Sequence, residues 1–225
     1  MGGGVRDRGR GANRPVVNVL LLHAWPLDET MWAPQLEPIR AAGHEPLTPR
    51  LYDRGGSIDG WAAQLLDEVE GPFVAVGASM GGYCALALAR RASERVPGLA
   101  LVGSKAAADP PERKAIRDEL IARLRAEGVP PEYETEVPAE ELAVAQEAIR
   151  DRPELSGVAA SFGGPLLVCV GGHDEIVSVD EARELAGSAL AGSLEVFPDA
   201  GHLLSVERPE EFTPVLLEYL AQWTT

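Results

Sequence analysis

Ser79, Asp174 and His202 are the residues of this sequence whose types and surroundings could together do chemistry. A serine hydroxyl is a poor nucleophile until a base takes its proton. The base, an imidazole, works best when a carboxylate orients it and steadies its charged form. Ser79 stands in Gly77-Ala78-Ser79-Met80-Gly81, after the apolar run Pro72-Phe73-Val74-Ala75-Val76 and before a small-residue stretch, residues 82–91. A serine in a sharp turn between strand and helix projects its hydroxyl above the sheet edge. The positions two before and two after it must be nearly free of side chain, because the two backbones crowd there. Gly77 and Gly81 meet that need. A glycine-rich turn of this kind is also a common structural device, so the motif needs partners to be read as chemistry.

The partners are expected at the C-terminal ends of later strands, where open α/β sheets gather their sites. Asp174 follows the apolar run 165–171 in Gly171-Gly172-His173-Asp174, and His202 follows residues 193–197 in Asp199-Ala200-Gly201-His202. Serine, acid and histidine thus occur in one chain order, each just beyond a strand. Asp109, in the loop after Gly103, is a rival acid placed to reach the same histidine, and Asp180 reads as the start of a following helix. His173 reads as a loop residue beside the acid, and His44, after the helix-ending Gly43, is expected to be exposed. Charge developing on a carbonyl oxygen needs fixed donors, usually backbone N–H groups. One is expected from Met80, at a helix N-terminus where the dipole helps. The other is expected from Trp25, in the segment His23-Ala24-Trp25-Pro26-Leu27-Asp28, with His23 itself a buried structural histidine.

The elements that must hold these residues alternate along the chain. Strands are predicted at residues 16–23, 45–49, 72–78, 98–103, 165–171 and 193–197, from apolar runs rich in β-branched residues. Helices are predicted at residues 31–42, 59–70, 179–191 and 207–223, the first stopped by Gly43. Met31, Leu36 and Ile39 form one core stripe, Trp61, Leu65, Leu66 and Val69 another, and Phe212, Val215, Leu216 and Leu220 a third. This rhythm implies an α/β, doubly wound, mostly parallel six-stranded sheet with helices on both faces. Between Lys105 and Gly164 the rhythm breaks into charged, proline-punctuated helical sequence, with helices expected at residues 112–127 and 139–150. That is too long for an ordinary connection. It is read as a helical cap insertion, about residues 106–164, within a single domain of residues 15–225.

Composition limits the partners. The 225 residues carry a formal net charge of −15, which argues against a nucleic-acid surface and against acidic membranes. Hydrophobic residues make up 45%, enough for a sizeable core. No apolar run approaches the roughly 18 residues of a membrane span. Residues 1–14 hold Arg6, Arg8, Arg10 and Arg14 among glycines, with no apolar stretch of a signal peptide, and read as a flexible tail. A cytoplasmic location is the default. Cys84 and Cys169 read as small buried hydrophobes rather than a disulfide. No metal or organic cofactor is expected, and oligomeric state is left open.

The segments His23-Ala24-Trp25-Pro26-Leu27-Asp28, Gly77-Ala78-Ser79-Met80-Gly81-Gly82, and Gly201-His202 with Glu207-Arg208-Pro209, resemble those of the α/β-hydrolase superfamily. The likeness extends over nearly all of residues 16–223, and is to the small esterases and the cofactor-free haloperoxidase-like hydrolases. In that group the first segment usually has glycine where this chain has Ala24, which bears on the width of the oxyanion loop and not on its backbone donor. The resemblance implies a serine hydrolase cleaving a small carboxylic ester through an acyl-enzyme. Ser79 would be nucleophile, His202 base, Asp174 its orienting acid, and the Trp25 and Met80 N–H groups the oxyanion hole. It also implies that the family's usual N-terminal antiparallel strand pair is missing. The same triad serves thioesters, lactones and carbon–carbon bonds, and a non-catalytic ligand receptor or a cofactor-free lyase would keep the same pocket.

Overall fold

Apolar side chains alternate between the two faces of the strands in a way that defines the architecture. Leu20, Leu22, Phe73, Ala75, Leu99, Leu101, Leu166 and Val168 belong to one core, and Val19, Leu21, Val74, Val76, Ala100, Val102, Leu167 and Cys169 to the other. Both cores exclude water, so these strands are apolar on both sides. The structure, a computed structural model, describes residues 17–223. The tail expected at residues 1–14, and the place an antiparallel strand pair would occupy ahead of the first strand, lie outside the described residues.

The strands are β1 (Asn18–Leu22), β2 (Glu45–Leu47), β3 (Phe73–Ala78), β4 (Leu99–Val102), β5 (Leu166–Gly171) and β6 (Gly192–Phe197). They form one six-stranded sheet in the order β2-β1-β3-β4-β5-β6. Every pairing among the described residues is parallel. The register sets Leu22 opposite Gly77, Ala78 opposite Val102, Val102 opposite Cys169, and Gly171 opposite Phe197. The C-terminal ends of five strands therefore open onto one edge.

Helices α1 (Ala33–Ala41), α2 (Ile58–Glu68), α3 (Met80–Arg91), α7 (Val179–Ser188) and α9 (Pro209–Leu220) surround the sheet. α2, α3 and α7 cover one face, while α1 and α9 cover the other. Helices α4 (Pro111–Glu127), α5 (Ala139–Arg150) and α6 (Ser156–Ser161) make the insertion between β4 and β5. Ile121 and Leu124 of α4 and Leu142, Ala143 and Ala145 of α5 are buried in the core they share with the α2–α3 face. Among the described residues no helix is long and apolar enough to cross a membrane.

The closing helix expected at residues 207–223 is found as α9, and a short helix that was not expected precedes it. α8 (Leu204–Glu207) ends at Arg208, whose backbone leaves the helical region (φ −133, ψ 54), and Pro209 opens α9. A residue before proline is pushed out of the helical region, and proline suits the first position of a helix. Short helices at Glu29–Trp32 and Ser156–Ser161 were also not anticipated.

His44 departs from expectation. It is buried, 3% exposed, and neither ring nitrogen has a hydrogen-bond partner. Along residues 44–46 burial alternates, so the turn at Gly43 hands His44 to the same inward side as Pro46. Desolvation there lowers its pKa. Cys84 and Cys169 are buried and free, as expected, and burial pushes the Cys84 thiol up to about 12.

Two polar side chains lock loops to the sheet. Arg95 donates to the carbonyls of Leu66 (2.8 Å), Gly71 (3.0 and 3.1 Å) and Val69, and its guanidinium lies 5.6 Å from the Phe73 ring centroid. A fork of donors fits three carbonyls at a helix end as an ammonium cannot. Arg95→Lys is therefore expected to destabilise the fold by about 1–2 kcal/mol, read as a shift in the urea midpoint at constant slope.

His23 is fully buried at the end of β1. Its Nδ1 lies 3.1 Å from the Ala24 carbonyl and its Nε2 accepts the Leu51 N–H at 2.9 Å. These partners require a neutral ring protonated on Nδ1. Burial, the largest influence, lowers its pKa from 6.5 to about 4. The unfolded chain then takes up a proton below about pH 6.5 that the folded chain refuses until about pH 4. Stability should fall by about 3 kcal/mol across that window and be fully present above it. Denaturation series at stepped pH should show this slope, and His23→Gln should flatten it.

Candidate active site

The turn after β3 brings Ser79 to the open edge of the sheet in a conformation that side-chain-bearing residues rarely adopt (φ 47, ψ −109). Such a backbone costs of order 1–3 kcal/mol and persists only where its surroundings fix it. A Cβ on Gly77 would strike the Gly81 backbone and lie 2.5 Å from the Gly82 nitrogen. One on Gly81 would strike the Leu22 carbonyl at the end of β1, and one on Gly82 the Ser104 side chain beyond β4. Ser79 N–H donates to the Val102 carbonyl at 2.8 Å, and Ser104 Oγ donates to the Ser79 carbonyl at 2.9 Å. The elbow is thus wedged between the strands on either side.

His202 Nε2 lies 2.9 Å from Ser79 Oγ. Its Nδ1 lies 2.9 and 3.0 Å from the two carboxylate oxygens of Asp174. The Asp174 side chain is fully buried, while that of His202 keeps 16% exposure. Asp174 Oδ1 also accepts the N–H groups of Ile176 (2.8 Å) and Val177 (2.9 Å). Burial alone would raise the Asp174 pKa. The His202 hydrogen bond and charge, with the two backbone donors, outweigh it and hold the group below the usual carboxylate range. The sequence-predicted serine, acid and base are brought together in one chain of hydrogen bonds.

The rival acid is elsewhere engaged. Asp109 is paired with Arg117 and, at 2.7 Å, with Arg152, and does not meet His202. Arg117 and Arg152, both from the insertion, hold its carboxylate. Asp180 sits in the first turn of α7, and His173 is an exposed loop residue, both as expected.

Three supporting residues were not read as such from the sequence. Gly103 (φ +53) lies beneath the acid–histidine pair, where a Cβ would come within 2.8 Å of the His202 carbonyl and 3.3 Å of Asp174 Oδ2. Glu207 accepts the N–H groups of Gly201 (2.6 Å) and Leu203 (2.9 Å), on either side of His202. Arg208 donates to the Asp199 carbonyl at 3.0 and 3.2 Å. The adjacent acid and base after the histidine carried the signal for the last two. Nothing local marks Gly103, because its constraint comes from Asp174 and His202, far along the chain.

The segment after β1 returns over the serine. Ala24 N–H donates to Met31 Sδ at 3.1 Å, and is thereby occupied. The Trp25 and Met80 N–H groups have no acceptor among the described residues. Trp25 Nε1 donates to the Leu142 carbonyl of α5 at 3.2 Å, its ring stands edge-on to Tyr133 at 4.9 Å, and Thr135 Oγ1 donates to the Pro26 carbonyl at 2.9 Å. Tyr52 braces the same segment, its hydroxyl donating to the Leu27 carbonyl at 2.8 Å.

Ser79 and His202 open into a cavity of about 450 Å³ between the sheet edge and the insertion. Trp25, Tyr83, Leu120, Tyr133 and Ile149 supply much of its wall. Among the described residues no group of three or more His, Cys, Asp or Glu side chains is arranged to hold a metal ion.

Comparison with known proteins places the chain. Pimeloyl-(acyl-carrier protein) methyl ester esterase from Aromatoleum aromaticum is 38% identical over 98 residues, a match that covers 41% of this chain and 38% of that protein. The match therefore spans well under two thirds of that relative's length. A thermophilic esterase from Thermogutta terrifontis superimposes with a TM-score of 0.85 at 29% identity, over 93% of this chain and 91% of that one. An enol-lactonase from Burkholderia xenovorans LB400 shares the fold, with a TM-score of 0.78 at 23% identity over 92% of each chain. The family model for the alpha/beta hydrolase family matches residues 19–215. That match runs from β1 into α9 and takes in the elbow, the acid and the histidine, and the chain belongs to the alpha/beta hydrolase family.

Proposed function

We propose that this protein is a serine hydrolase that cleaves a small carboxylic ester through an acyl-enzyme. The observation that carries this reading is the unbroken chain from Ser79 Oγ through His202 to Asp174, with its nucleophilic end at a cavity. His202 takes the Ser79 proton as Oγ attacks the ester carbonyl. The developing oxyanion is held by the Trp25 and Met80 N–H groups, which lack other acceptors among the described residues. His202 then returns the proton to the leaving alcohol and activates water against the acyl-enzyme. Asp174 keeps the ring oriented and steadies its charged form. The methyl ester substrate named for the curated relative, and the esterase named for the structural neighbour, support ester over other acyl compounds. We read residues 15–225 as one domain in which the insertion, about residues 106–164, acts as a cap over the site.

Two outcomes test this. A fluorophosphonate probe should label Ser79, located by peptide mass spectrometry, and Ser79→Ala should lower ester turnover by about 10⁶. Near wild-type turnover in that variant would sink the proposal. Asp174→Asn should keep the fold and lower kcat by about 10⁴, because the ring is then held in the wrong tautomer. Parallel melting curves separate this loss from unfolding.

A further inference from the structure

The insertion presents the cavity with two arginines and a glutamine amide, and contributes no carboxylate to its lining to match them. Arg113, Ile116, Arg117 and Leu120 recur at helical spacing on one stripe of α4, and all four line the cavity. Arg117 is fixed at two points. Its Nε donates to Asp109, and its Nη1 donates to Gln146 Oε1 at 2.7 Å. Asp109 is held in turn by Arg152, whose side chain is 2% exposed and whose guanidinium lies 4.2 Å over the Tyr83 ring. Burial would raise the Asp109 pKa, but the two arginines outweigh it and keep the carboxylate charged.

An arginine has only donors, so Gln146 must turn its oxygen to Arg117 and leave its amide NH₂ for another partner. Gln146 is 2% exposed and lines the cavity, and its Nε2 has no acceptor among the described residues. Arg117 Nη2 is likewise without an acceptor, and the Arg113 side chain has neither a hydrogen bond nor an ion pair among the described residues. The acids nearby are already occupied. Asp109 serves two arginines, and Glu207, also on the cavity, serves two backbone N–H groups. Gln146 is the buried one of these donors, and an unpaired amide donor in such a place calls for an acceptor. Arg113 and Arg117 both stand on the cavity, and the aspartate paired with Arg117 is shared with Arg152, so the acceptor called for is a charged one, and a carboxylate fits the planar fork of a guanidinium.

We propose that the substrate ester carries a free carboxylate, bound by Arg113, Arg117 and Gln146 while Ser79 engages the ester carbonyl. This rests on the serine-hydrolase reading above. Asp109 and Arg152 are positioning residues, which set the angle at which Arg117 and Gln146 meet the ligand. The carboxylate belongs either to the acyl part or to the alcohol part of the ester, and the same donors serve both.

The test is a steady-state comparison in two arms. Monomethyl esters of linear dicarboxylic acids are set against methyl alkanoates of matched length. Acetyl esters of ω-hydroxy acids are set against matched alkyl acetates. In one arm kcat/KM for the carboxylate-bearing ester should exceed that for its neutral partner by about tenfold or more, and that arm identifies the part that bears the charge. Arg113→Gln, a change at a half-exposed position, and Gln146→Leu should each bring the ratio toward one. Arg113→Glu should turn preference toward esters that bear an amine, which a merely structural arginine would not do. A wild-type ratio near one in both arms, with neutral esters hydrolysed and Ser79 labelled, overturns this proposal and leaves the hydrolase reading standing. A ratio that survives Arg113→Gln and Gln146→Leu overturns the assignment to these residues. No turnover and no label on Ser79 would remove the hydrolase reading and this proposal together.

Discussion

Steric crowding at the elbow governs the rest of the site. Between β3 and α3 there is no volume for side chains at residues 77, 81 and 82, because Leu22, Ser104 and the elbow backbone already occupy it. The start of α3 is therefore pressed against the ends of β1 and β4 at once. That contact fixes Ser79 relative to both neighbours, and the bond from Ser79 N–H to the Val102 carbonyl holds it there. α3 can sit so deep only because it is built from small residues, with Cys84, Ala85, Ala87 and Ala89 all buried. The strained serine is stabilised by packing distributed along a whole helix, which is how a costly backbone conformation survives.

Electrostatics complete what sterics begin. The acid, Asp174, lies fully buried yet keeps its charge, because two backbone N–H groups and the imidazole supply the hydrogen bonds that water would. The second buried acid, Asp109, is kept charged by different means, two guanidinium groups. The contrast fits the separate roles proposed for them. A carboxylate held by backbone donors leaves an oxygen free to orient a histidine, whereas one clamped by arginines is committed to structure.

Much of this was legible in the sequence, and the limits have physical causes. The six strands and the residues at their ends follow from apolar runs punctuated by glycine, since a strand buried on both faces has few other ways to be written. Ser79, Asp174 and His202 could be found because each stands directly after such a run. Asp109 could not be separated from Asp174 on those grounds. Its fate depends on Arg117 and Arg152, which the chain brings back from elsewhere in the insertion. His44 was misread because a residue after a helix-ending glycine looks like the tip of a turn, while here it already obeys the alternation of the coming strand. Within the insertion the helices expected at residues 112–127 and 139–150 are found at Pro111–Glu127 and Ala139–Arg150, and it was their partners that could not be read. These helices are strongly charged, and ion pairs such as Arg150 with Asp118 and Arg125 with Glu140 leave little apolar periodicity to follow.

The segment after β1 has two attachments. At its root, His23 and Tyr52 tie it to the body of the sheet. At its tip, the Trp25 indole and the Pro26 carbonyl bond to Leu142 and Thr135 of the insertion. One short piece of chain thus serves both the ceiling of the cavity and the stretch of backbone that faces Ser79. Raising the ceiling to admit a bulkier molecule strains the same few bonds that hold the Trp25 backbone, the donor proposed for the oxyanion. In the proposed reaction the width of the entrance and the aim of that donor would change together, so a guest too large for the chamber would be turned away and left unactivated by one and the same displacement.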